Sequence, residues 1–324
     1  MRTLLSLLVL ASISPAAIAG PGRIIAIGDE WLLSDEAFIQ QAAQTQQLAS
    51  NISAYFHTTG VGHYLVLSNS PAIGGVTGQR GVLGTSLASA MAAAGNTWTV
   101  NPPIPFTVAA LSNYDAVFFS GGFGSGVANA TVLTEYVNAG GSVLVMSGTG
   151  DIGSPDAEAN AWNPFLHNFG IGFASSVWFG LGASLLNVPT QLTANPLGAS
   201  LSSVLWGYGQ FAVDIDPANP GGEVALYGNF TGFNAPPPGD VAHVPIIATY
   251  NIPSPICLAD IAGGPIPGAP DDIVDGVDFI AFINAFGAGD MLADVADASG
   301  VPPGDGIVDG NDFVAFVNAF AAGC

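Results

Sequence analysis

Two copies of one unit occupy the C-terminal part of the chain, and this repeat constrains the fold more than any other feature. Laying residues 258–260 over residues 292–294 brings the following segments into register with a constant offset of 34 residues. A fixed period of this kind indicates one supersecondary unit present twice. The matched pairs are Asp271 with Asp305, Asp275 with Asp309, Asp278 with Asp312, Phe279 with Phe313, Phe282 with Phe316, Asn284 with Asn318 and Phe286 with Phe320.

Each copy ends in a segment with the apolar spacing of an amphipathic helix. Phe279, Phe282, Ile283 and Phe286 stand at i, i+3, i+4 and i+7, and the second copy repeats this stripe. One such helix cannot bury its stripe alone, whereas two can bury their stripes against each other. Mutual core packing is therefore favoured over direct contact of the aromatic side chains with a partner.

Acidic residues are concentrated in the same segment. Residues 257–324 hold eleven Asp and no basic residue, whereas the other thirteen acids are spread over the first 256 residues. The whole chain has a net charge of −21 with three arginines and no lysine. Nucleic acids and anionic membrane surfaces are poor partners for such a chain, because both are bound through cationic side chains. The dense charge of the repeats predicts a bound cation.

The spacing of the carboxylates suggests which cation it is. In each copy three Asp residues are separated by four and then three positions, as are positions 5, 9 and 12 of an EF-hand loop, where oxygen ligands surround Ca²⁺. Position 7 contributes only a backbone carbonyl, so an isoleucine is acceptable there. Two calcium ions are expected, one per copy. The assigned ligands are Asp260, Asp271, Ile273, Asp275 and Asp278 in the first copy, and Asp294, Asp305, Ile307, Asp309 and Asp312 in the second.

The two loops depart from the EF-hand pattern at their beginning. Asp260 precedes Asp271 by eleven positions instead of four, and Asp294 precedes Asp305 by the same distance. Positions 1 and 3 are therefore open, and Asp297 or Ser299 could supply a ligand in the second loop. A solvated acidic face without metal is the alternative interpretation.

The repeat with its flanking cysteines resembles the GC-type dockerin tails of secreted planctomycete proteins. The resemblance rests on Cys-Leu-Ala-Asp at 257–260, Asp-Gly-Ile-Val-Asp-Gly-Asn-Asp-Phe at 305–313 and Ala-Gly-Cys at 322–324. It implies a small all-α, dockerin-like module with Ca²⁺ in two loops, attached to a cohesin-like receptor or to the cell surface. Cys257 and Cys324, the only cysteines, bracket the repeat and are expected to form a disulfide in an oxidising environment, with two free thiols as the alternative.

The N-terminal residues predict export. Arg2, an apolar stretch over residues 4–13 and Ala-Ile-Ala at 17–19 have the order of a secretory signal peptide. No later segment offers 18 uninterrupted apolar residues for a membrane span. We therefore expect a secreted, extracellular or cell-surface protein with a signal peptide at 1–19, an α/β domain at 20–252 and the tandem repeat at 253–324.

Residues 23–250 alternate between apolar strand-like runs and helical segments, which predicts a doubly wound parallel sheet with helices on both faces. Strands are expected at 23–28, 63–68, 114–120, 142–146, 223–227 and 245–250. Helices are expected at 34–55, beginning at Ser34, and at 85–94 and 129–138. Thr85 or Ser86 is interpreted as the N-cap of the second helix rather than as a protease nucleophile.

Part of this domain resembles the class I glutamine amidotransferase-like, flavodoxin-like superfamily. The resemblance rests on Tyr-Asp-Ala-Val-Phe-Phe-Ser-Gly-Gly at 114–122, the following helix, and Ala-Gly-Gly-Ser-Val-Leu-Val-Met-Ser-Gly-Thr-Gly at 139–150. Enzymes of the superfamily carry a cysteine where Ser147 stands here, and residues 1–256 contain none. Glutaminase activity through a thiolate is therefore excluded, and a catalytically silent relative or one with different chemistry is expected.

A small-molecule site in an α/β domain of this kind is expected at the carboxyl ends of the strands. The candidates there are Asp29, Glu30, Ser120, Gly122, Ser147, Thr149 and Asp151. Asp29 and Glu30 could act as a general acid/base pair, but a solvated loop is the favoured interpretation. The glycines at 121–126 are interpreted as a tight turn, with an anion cradle as the alternative. The four histidines, His57, His63, His167 and His243, lack metal-ligand spacing and are assigned structural roles.

Three functions remain open on the sequence alone. The favoured one is a docked, calcium-binding secreted protein whose α/β domain binds a ligand, possible classes including carbohydrate, without catalysis. The second is a secreted carbohydrate-active hydrolase carried on a dockerin. The third is a structural surface protein.

Overall fold

The computed structural model describes residues 22–57, 61–68, 81–120, 130–148, 154–175, 179–180, 185–219, 221–233, 237–251, 258–262, 274–296 and 304–322. The chain divides into two compact units, the front unit (Met1–Asn251) and the tail unit (Ile252–Cys324). This division lies next to the boundary expected from the sequence. The expected signal peptide and seven of the predicted site residues lie outside the described residues: Gly122, Thr149, Asp151, Cys257, Asp271, Ile273 and Cys324.

The front unit is a mixed α/β structure, as the alternation of segments predicts. Its strands are β1 (Arg23–Ile27), β2 (His63–Ser68), β3 (Thr97–Val100), β4 (Ala116–Ser120), β5 (Ser142–Met146), β6 (Ile171–Phe173), β7 (Phe179–Gly180), β8 (Leu186–Leu192), β9 (Ser203–Trp206), β10 (Tyr208–Gly209), β11 (Ala212–Asp214), β12 (Gly222–Gly228) and β13 (Val244–Asn251). Its helices are α1 (Asp35–Gln40), α2 (Ala42–Phe56), α3 (Thr85–Ala93), α4 (Val108–Leu111), α5 (Ala130–Asn138) and α6 (Pro155–Leu166).

Nine strands form the main sheet in the order β3-β2-β4-β5-β1-β13-β12-β8-β9. The first five are parallel, but β13, β12, β8 and β9 are antiparallel to their neighbours. The prediction of a parallel sheet is therefore correct for one half only. A parallel pair needs a crossover, usually a helix, whereas antiparallel strands can follow short loops. Among the described residues between α6 and β13 there is no α-helix, so this part of the chain returns antiparallel.

Helices cover both faces of the parallel half. Two neighbouring residues of β4 show this, because their side chains point to opposite faces of the sheet. Phe118 packs against Phe56 of α2 with ring centroids 5.6 Å apart, and Phe119 packs against Trp162 of α6 with ring centroids 5.3 Å apart. Strands β1, β4 and β5 are consequently buried almost throughout, which explains their unbroken apolar sequences. Because these strands are parallel, their carboxyl ends meet at one edge of the sheet.

The helix expected over 34–55 is two helices. Ser34 is the N-cap of α1 as predicted, and its Oγ accepts the Ala37 N–H at 3.1 Å. The chain then breaks at Gln41, whose side-chain amide bonds Asn187 at 2.5 Å and Ser203 at 2.8 Å. Both partners lie on strands far along the chain, so the residues around Gln41 do not indicate that the helix is interrupted there.

The N-cap assignment for α3 is wrong. Gly84 occupies the N-cap position and makes no side-chain cap, while Thr85 and Ser86 are already helical. A neighbouring helix supplies the cap: Asp35 Oδ1 accepts the Ser86 N–H at 2.7 Å, and the Thr85 hydroxyl donates to the same carboxylate at 3.3 Å. A carboxylate at a helix N-terminus also complements the helix dipole.

The tail unit contains two helices, α7 (Gly276–Ala288) and α8 (Gly310–Ala322), at equivalent positions of the two repeats. The aromatic stripes of the repeats pack against each other, which confirms the predicted core role for their inner members, while Phe279, Ile283 and Phe313 remain 37 to 39% exposed. Phe282 and Phe316 are fully buried, and small apolar residues such as Ala259 and Ala293 complete the core around them. Within the described residues of both units, no helix is long and apolar enough to cross a membrane.

Candidate functional site

Asp29 lies directly after β1 and is fully buried at the carboxyl edge of the sheet. Its Oδ1 accepts the Trp31 N–H at 3.0 Å, and its Oδ2 accepts the Gly207 N–H at 2.5 Å. The backbone N–H of Tyr208 also bonds this carboxylate. The interpretation of Asp29 and Glu30 as a solvated loop is therefore wrong, because neither residue exposes any surface. A segment distant in the sequence covers them.

Burial raises the pKa of Asp29 to about 7. Loss of hydration is the main cause, since it disfavours the charged carboxylate. The three backbone donors act in the opposite direction, and the nearby Glu158 raises the pKa further. Asp29 therefore exchanges its proton near neutral pH, a property that general acids and bases share.

Glu158 is a functional candidate that the sequence reasoning missed. It lies in the first turn of α6 and is fully buried, and its Oε2 accepts the Gly148 N–H at 2.5 Å. The available signal was Ser154, which caps α6 by accepting the Ala157 N–H and so places Glu158 four residues into a helix that follows a strand-end loop. Acids in a first helical turn usually complement the helix dipole at the surface, so the position of Glu158 did not indicate burial.

Glycines bring the three turns of this site into backbone contact. A Cβ on Gly148, which has φ +74°, would lie 2.9 Å from the Gly209 Cα and 3.0 Å from the Gly28 carbonyl oxygen. The Gly28 carbonyl also accepts the Gln210 N–H at 2.8 Å. Asp29 and Glu158 thus satisfy the backbone donors of a closely packed junction, and a reactant could reach either carboxyl only if the junction opened.

Glu30 and Ser120 belong to a second buried group, beside Gly81. A Cβ on Gly81 would lie 2.6 Å from the Ser120 Oγ and 3.2 Å from the Glu30 Oε2. The hydroxyls of Ser68 and Ser120, at the ends of β2 and β4, are 2.7 Å apart. The structure therefore brings two predicted candidates together here, at the place where the strand order changes direction between β2 and β4.

Ser147, the residue at the nucleophile position of the amidotransferase-like pattern, is buried after β5. Its hydroxyl donates to the Ile27 carbonyl at 3.4 Å, and its backbone N–H donates to the same oxygen at 2.9 Å. These contacts hold Ser147 to the end of β1. Two of the histidines have side-chain partners at the surface: His63 faces the Thr97 hydroxyl at 3.1 Å, and His243 faces Asp240 at 3.0 Å.

In the tail unit, the buried carboxylate of Asp312 accepts three backbone N–H groups. Its Oδ1 accepts from Val295 and Ala296, both at 2.9 Å, and its Oδ2 accepts from Asp309 at 2.7 Å. Burial acts to raise the pKa of Asp312, but the backbone donors together outweigh it and hold the pKa below its ordinary value.

Asp278 repeats this arrangement in the first copy. Its Oδ1 accepts from Ile261 and Ala262, both at 2.9 Å, and its Oδ2 accepts from Asp275 at 2.9 Å. Both carboxylates are almost completely shielded from solvent. The last ligand position predicted in each calcium loop is therefore occupied by backbone donors.

The other predicted ligands of the second loop are also bonded to backbone. Asp294 accepts the Asp305 N–H at 3.0 Å and the Gly306 N–H at 2.8 Å, and Asp309 accepts the Asn311 N–H at 2.7 Å. Among the described residues there is no group of three acidic, histidine or cysteine side chains that could hold a metal ion. Carboxylate oxygens suit Ca²⁺ chemically, and Asp297 and Ser299, the alternative ligands of the second loop, lie outside the described residues, so calcium there stays a prediction.

Fewer of the predicted ligands are exposed to solvent, where a cation could reach them. Asp275, Asp305 and Asp309 are exposed, and so is Ile307, whereas Asp260 is buried. In the first loop, Asp271 and Ile273 lie outside the described residues.

No protein-family model, curated protein or solved structure matches this chain. The function is therefore inferred from the residues and their geometry.

Proposed function

We propose that the tail unit docks a secreted protein to a cohesin-like receptor or another cell-surface protein, and that the front unit is a catalytically silent, amidotransferase-like ligand-binding domain. The observation that carries the proposal is the twofold arrangement of the repeats. The inner aromatic side chains are consumed in mutual packing, while other apolar side chains remain on the outside.

The exposed apolar side chains are concentrated in the tail unit. Among the described residues, nine of the fifteen large apolar side chains that are exposed belong to it. Ile280 and Val314 hold equivalent positions of the two repeats and are 63% and 57% exposed. Apolar side chains gathered on a small module are typical of a protein-binding surface. The absence of basic residues from the tail sequence favours a partner with cationic groups around an apolar centre.

The strand order supports the amidotransferase-like, flavodoxin-like assignment of the front unit. If the chain is followed from β2, strands β2, β3, β4 and β5 have the order 2-1-3-4 across the sheet, as in a flavodoxin-like fold, and β1 takes the fifth place. Catalytic silence is supported by the missing thiol and by Ser147, whose hydroxyl is engaged with the backbone of β1. The full secreted chain should therefore release no ammonia from glutamine above a buffer blank.

Calcium remains part of the proposal through the exposed carboxylates of the loops. The tail sequence holds eleven Asp residues and no basic residue, so its negative charges repel one another unless counter-ions neutralise them. Among the described residues, Asp305 and Asp309 are best suited to contribute carboxylate ligands to Ca²⁺. Asp271, which lies outside the described residues, is the proposed ligand in the other copy. Bound Ca²⁺ would neutralise charge at this surface and so favour docking.

Binding to the native cell surface tests the docking proposal. Cells of the source organism that lack their own copy of the gene should bind the labelled chain 20–324 and fail to bind the chain 20–251. The double substitution Ile280→Asp/Val314→Asp should weaken binding by about tenfold or more, since buried anchor residues carry most of an interface's energy.

A matched control excludes a general effect of added charge. Ile39 on α1 of the front unit is 60% exposed, so Ile39→Asp introduces the same change outside the tail. This variant should bind as the parent does. Equal binding by 20–324 and 20–251 would show that the tail does not dock.

A further inference from the structure

The two repeats share one carboxylate arrangement that the calcium interpretation does not account for. In each copy an aspartate in the first helical turn, three residues after the aspartate that precedes the helix, accepts three backbone N–H groups. Two come from residues 16 and 17 positions earlier and one comes from the preceding aspartate. The six distances lie between 2.7 and 2.9 Å. An arrangement that recurs at both Asp278 and Asp312 is a property of the repeat unit.

These bonds connect parts of each repeat that lie 16 or 17 residues apart in the sequence. Asp278 joins residues 261–262 to the start of α7, and Asp312 joins residues 295–296 to the start of α8. The joined segments carry core residues, among them Ala262 and Ala296, so the same contact also positions part of the hydrophobic core. Hydrogen bonds with a charged acceptor are stronger than neutral ones, and burial increases the difference.

Metal ligation would compete with this arrangement. A carboxylate has about four lone-pair sites, and three of them already face N–H donors in each copy. Both carboxylates are also shielded from solvent, whereas Asp305 and Asp309 are exposed. A cation held by both oxygens of Asp312 would displace at least one backbone donor and leave it buried without an acceptor, which is costly.

We propose that Asp278 and Asp312 are the closing residues of the two repeats, and that they hold the tail unit folded without a metal ion. Calcium, where it binds, then acts at the exposed loop carboxylates and is not what folds the module. This role is independent of docking, because it concerns the fold of the tail alone.

Amide hydrogen exchange in the full secreted chain tests the proposal, read by mass spectrometry on peptides covering residues 258–262 and 292–296. In the wild type, exchange at Ile261, Ala262, Val295 and Ala296 should be equally slow in 1 mM-scale free calcium and in excess EDTA, within about twofold, since protection reports local opening. Loss of this protection in EDTA would overturn the proposal.

Two isosteric substitutions separate the closing role from metal ligation. Asp312→Asn removes the charge and one acceptor from the closing residue, so exchange at residues 295–296 should accelerate by about tenfold or more with and without calcium. Asp305→Asn removes the negative charge of a predicted calcium ligand and so should weaken calcium binding, but an asparagine can still accept the Ile307 N–H that Asp305 accepts at 3.1 Å. It should leave exchange at residues 295–296 unchanged.

The opposite pattern would assign the aspartates to metal. If Asp305→Asn accelerated exchange as strongly as Asp312→Asn, and both effects vanished in EDTA, calcium would be folding the loop. Should Asp312→Asn unfold the whole tail, the wild-type comparison in EDTA and the Asp305→Asn variant still decide between the two.

Discussion

Phe282 and Phe316 stack with ring centroids 3.8 Å apart and ring planes inclined by 7°. They are the same position of the two repeats, 34 residues apart, so the contact lies on the axis that relates one repeat to the other. Phe279 meets Phe320 at 5.4 Å, and Phe286 meets Phe313 at 5.6 Å. Each outer pair joins residue i of one copy to residue j of the other, the reciprocal pattern of a twofold interface. Neither repeat can therefore complete its core alone.

The central stack should dominate the stability of the tail unit. Phe282→Ala or Phe316→Ala removes a fully buried ring and is expected to lower the free energy of unfolding of this unit by about 3–5 kcal/mol. Urea titration followed by exchange of tail peptides measures the loss. Ile280→Ala, on the exposed side of α7, should change it by less than about 0.5 kcal/mol. Similar losses for both substitutions would contradict the assigned core.

The stability of the front unit should depend on Gly148, both because backbone atoms pack closely around it and because its φ is positive. Ala at this position must adopt φ +74° and places a Cβ about 3 Å from two backbone segments. Gly148→Ala is expected to destabilise the front unit by about 3 kcal/mol, the sum of roughly 1 kcal/mol for the left-handed conformation and about 2 kcal/mol for overpacking.

Gly232 provides the matched control for this substitution. It also has a positive φ, +84°, but a Cβ there would meet nothing within 4 Å. Gly232→Ala should therefore cost only about 1 kcal/mol. Tryptophan fluorescence during urea unfolding measures both variants, and equal losses would show that the junction tolerates a side chain.

Asp29 should make the front unit less stable as the pH rises toward neutrality. Folding raises its pKa from 3.8 to about 7, so between these values the folded chain holds a proton that the unfolded chain has released. The contribution is fully present below about pH 4 and is lost as the pH rises through 7, with a limit of roughly 4 kcal/mol at about 1.4 kcal/mol per pKa unit.

The difference between wild type and Asp29→Asn isolates this group. The variant has no carboxyl to titrate, so its unfolding free energy should change less between pH 4.5 and 7.5 than that of the wild type, whatever its absolute stability. Asp240→Asn, a surface substitution, should keep the wild-type slope, because the pKa of Asp240 is lowered and this group stays ionised throughout the range. Parallel curves for wild type and Asp29→Asn would contradict a raised pKa.

Cys257 and Cys324 should be linked when the protein is produced in an oxidising environment. The disulfide would close a loop of about 67 residues, worth roughly 4 kcal/mol in the chain-entropy model. Mass spectrometry of the unreduced protein should find one peptide that contains both residues. Two alkylatable thiols without prior reduction would contradict the prediction.

The sequence by itself determined the elements whose signals are local. Strands β2 and β5 lie at the predicted residues, and β1, β4, α3 and α5 differ by one or two, because apolar runs and turn glycines act over a few neighbouring residues. The 34-residue period likewise determined that α7 and α8 would pack as equivalents, since their apolar stripes are the same except for Ile283 and Val317.

Tertiary structure alone decided the roles of the carboxylates. Asp29 accepts a hydrogen bond from the backbone N–H of Gly207, 178 residues along the sequence. Asp312 accepts from backbone N–H groups 16 and 17 residues before it. From the sequence alone, an aspartate that ligates a metal ion cannot be distinguished from one that caps a helix or one that is exposed to solvent. Its role depends on which backbone groups the fold brings within about 3 Å, and hydrogen bonding is too short-ranged and directional to be anticipated from spacing along the chain.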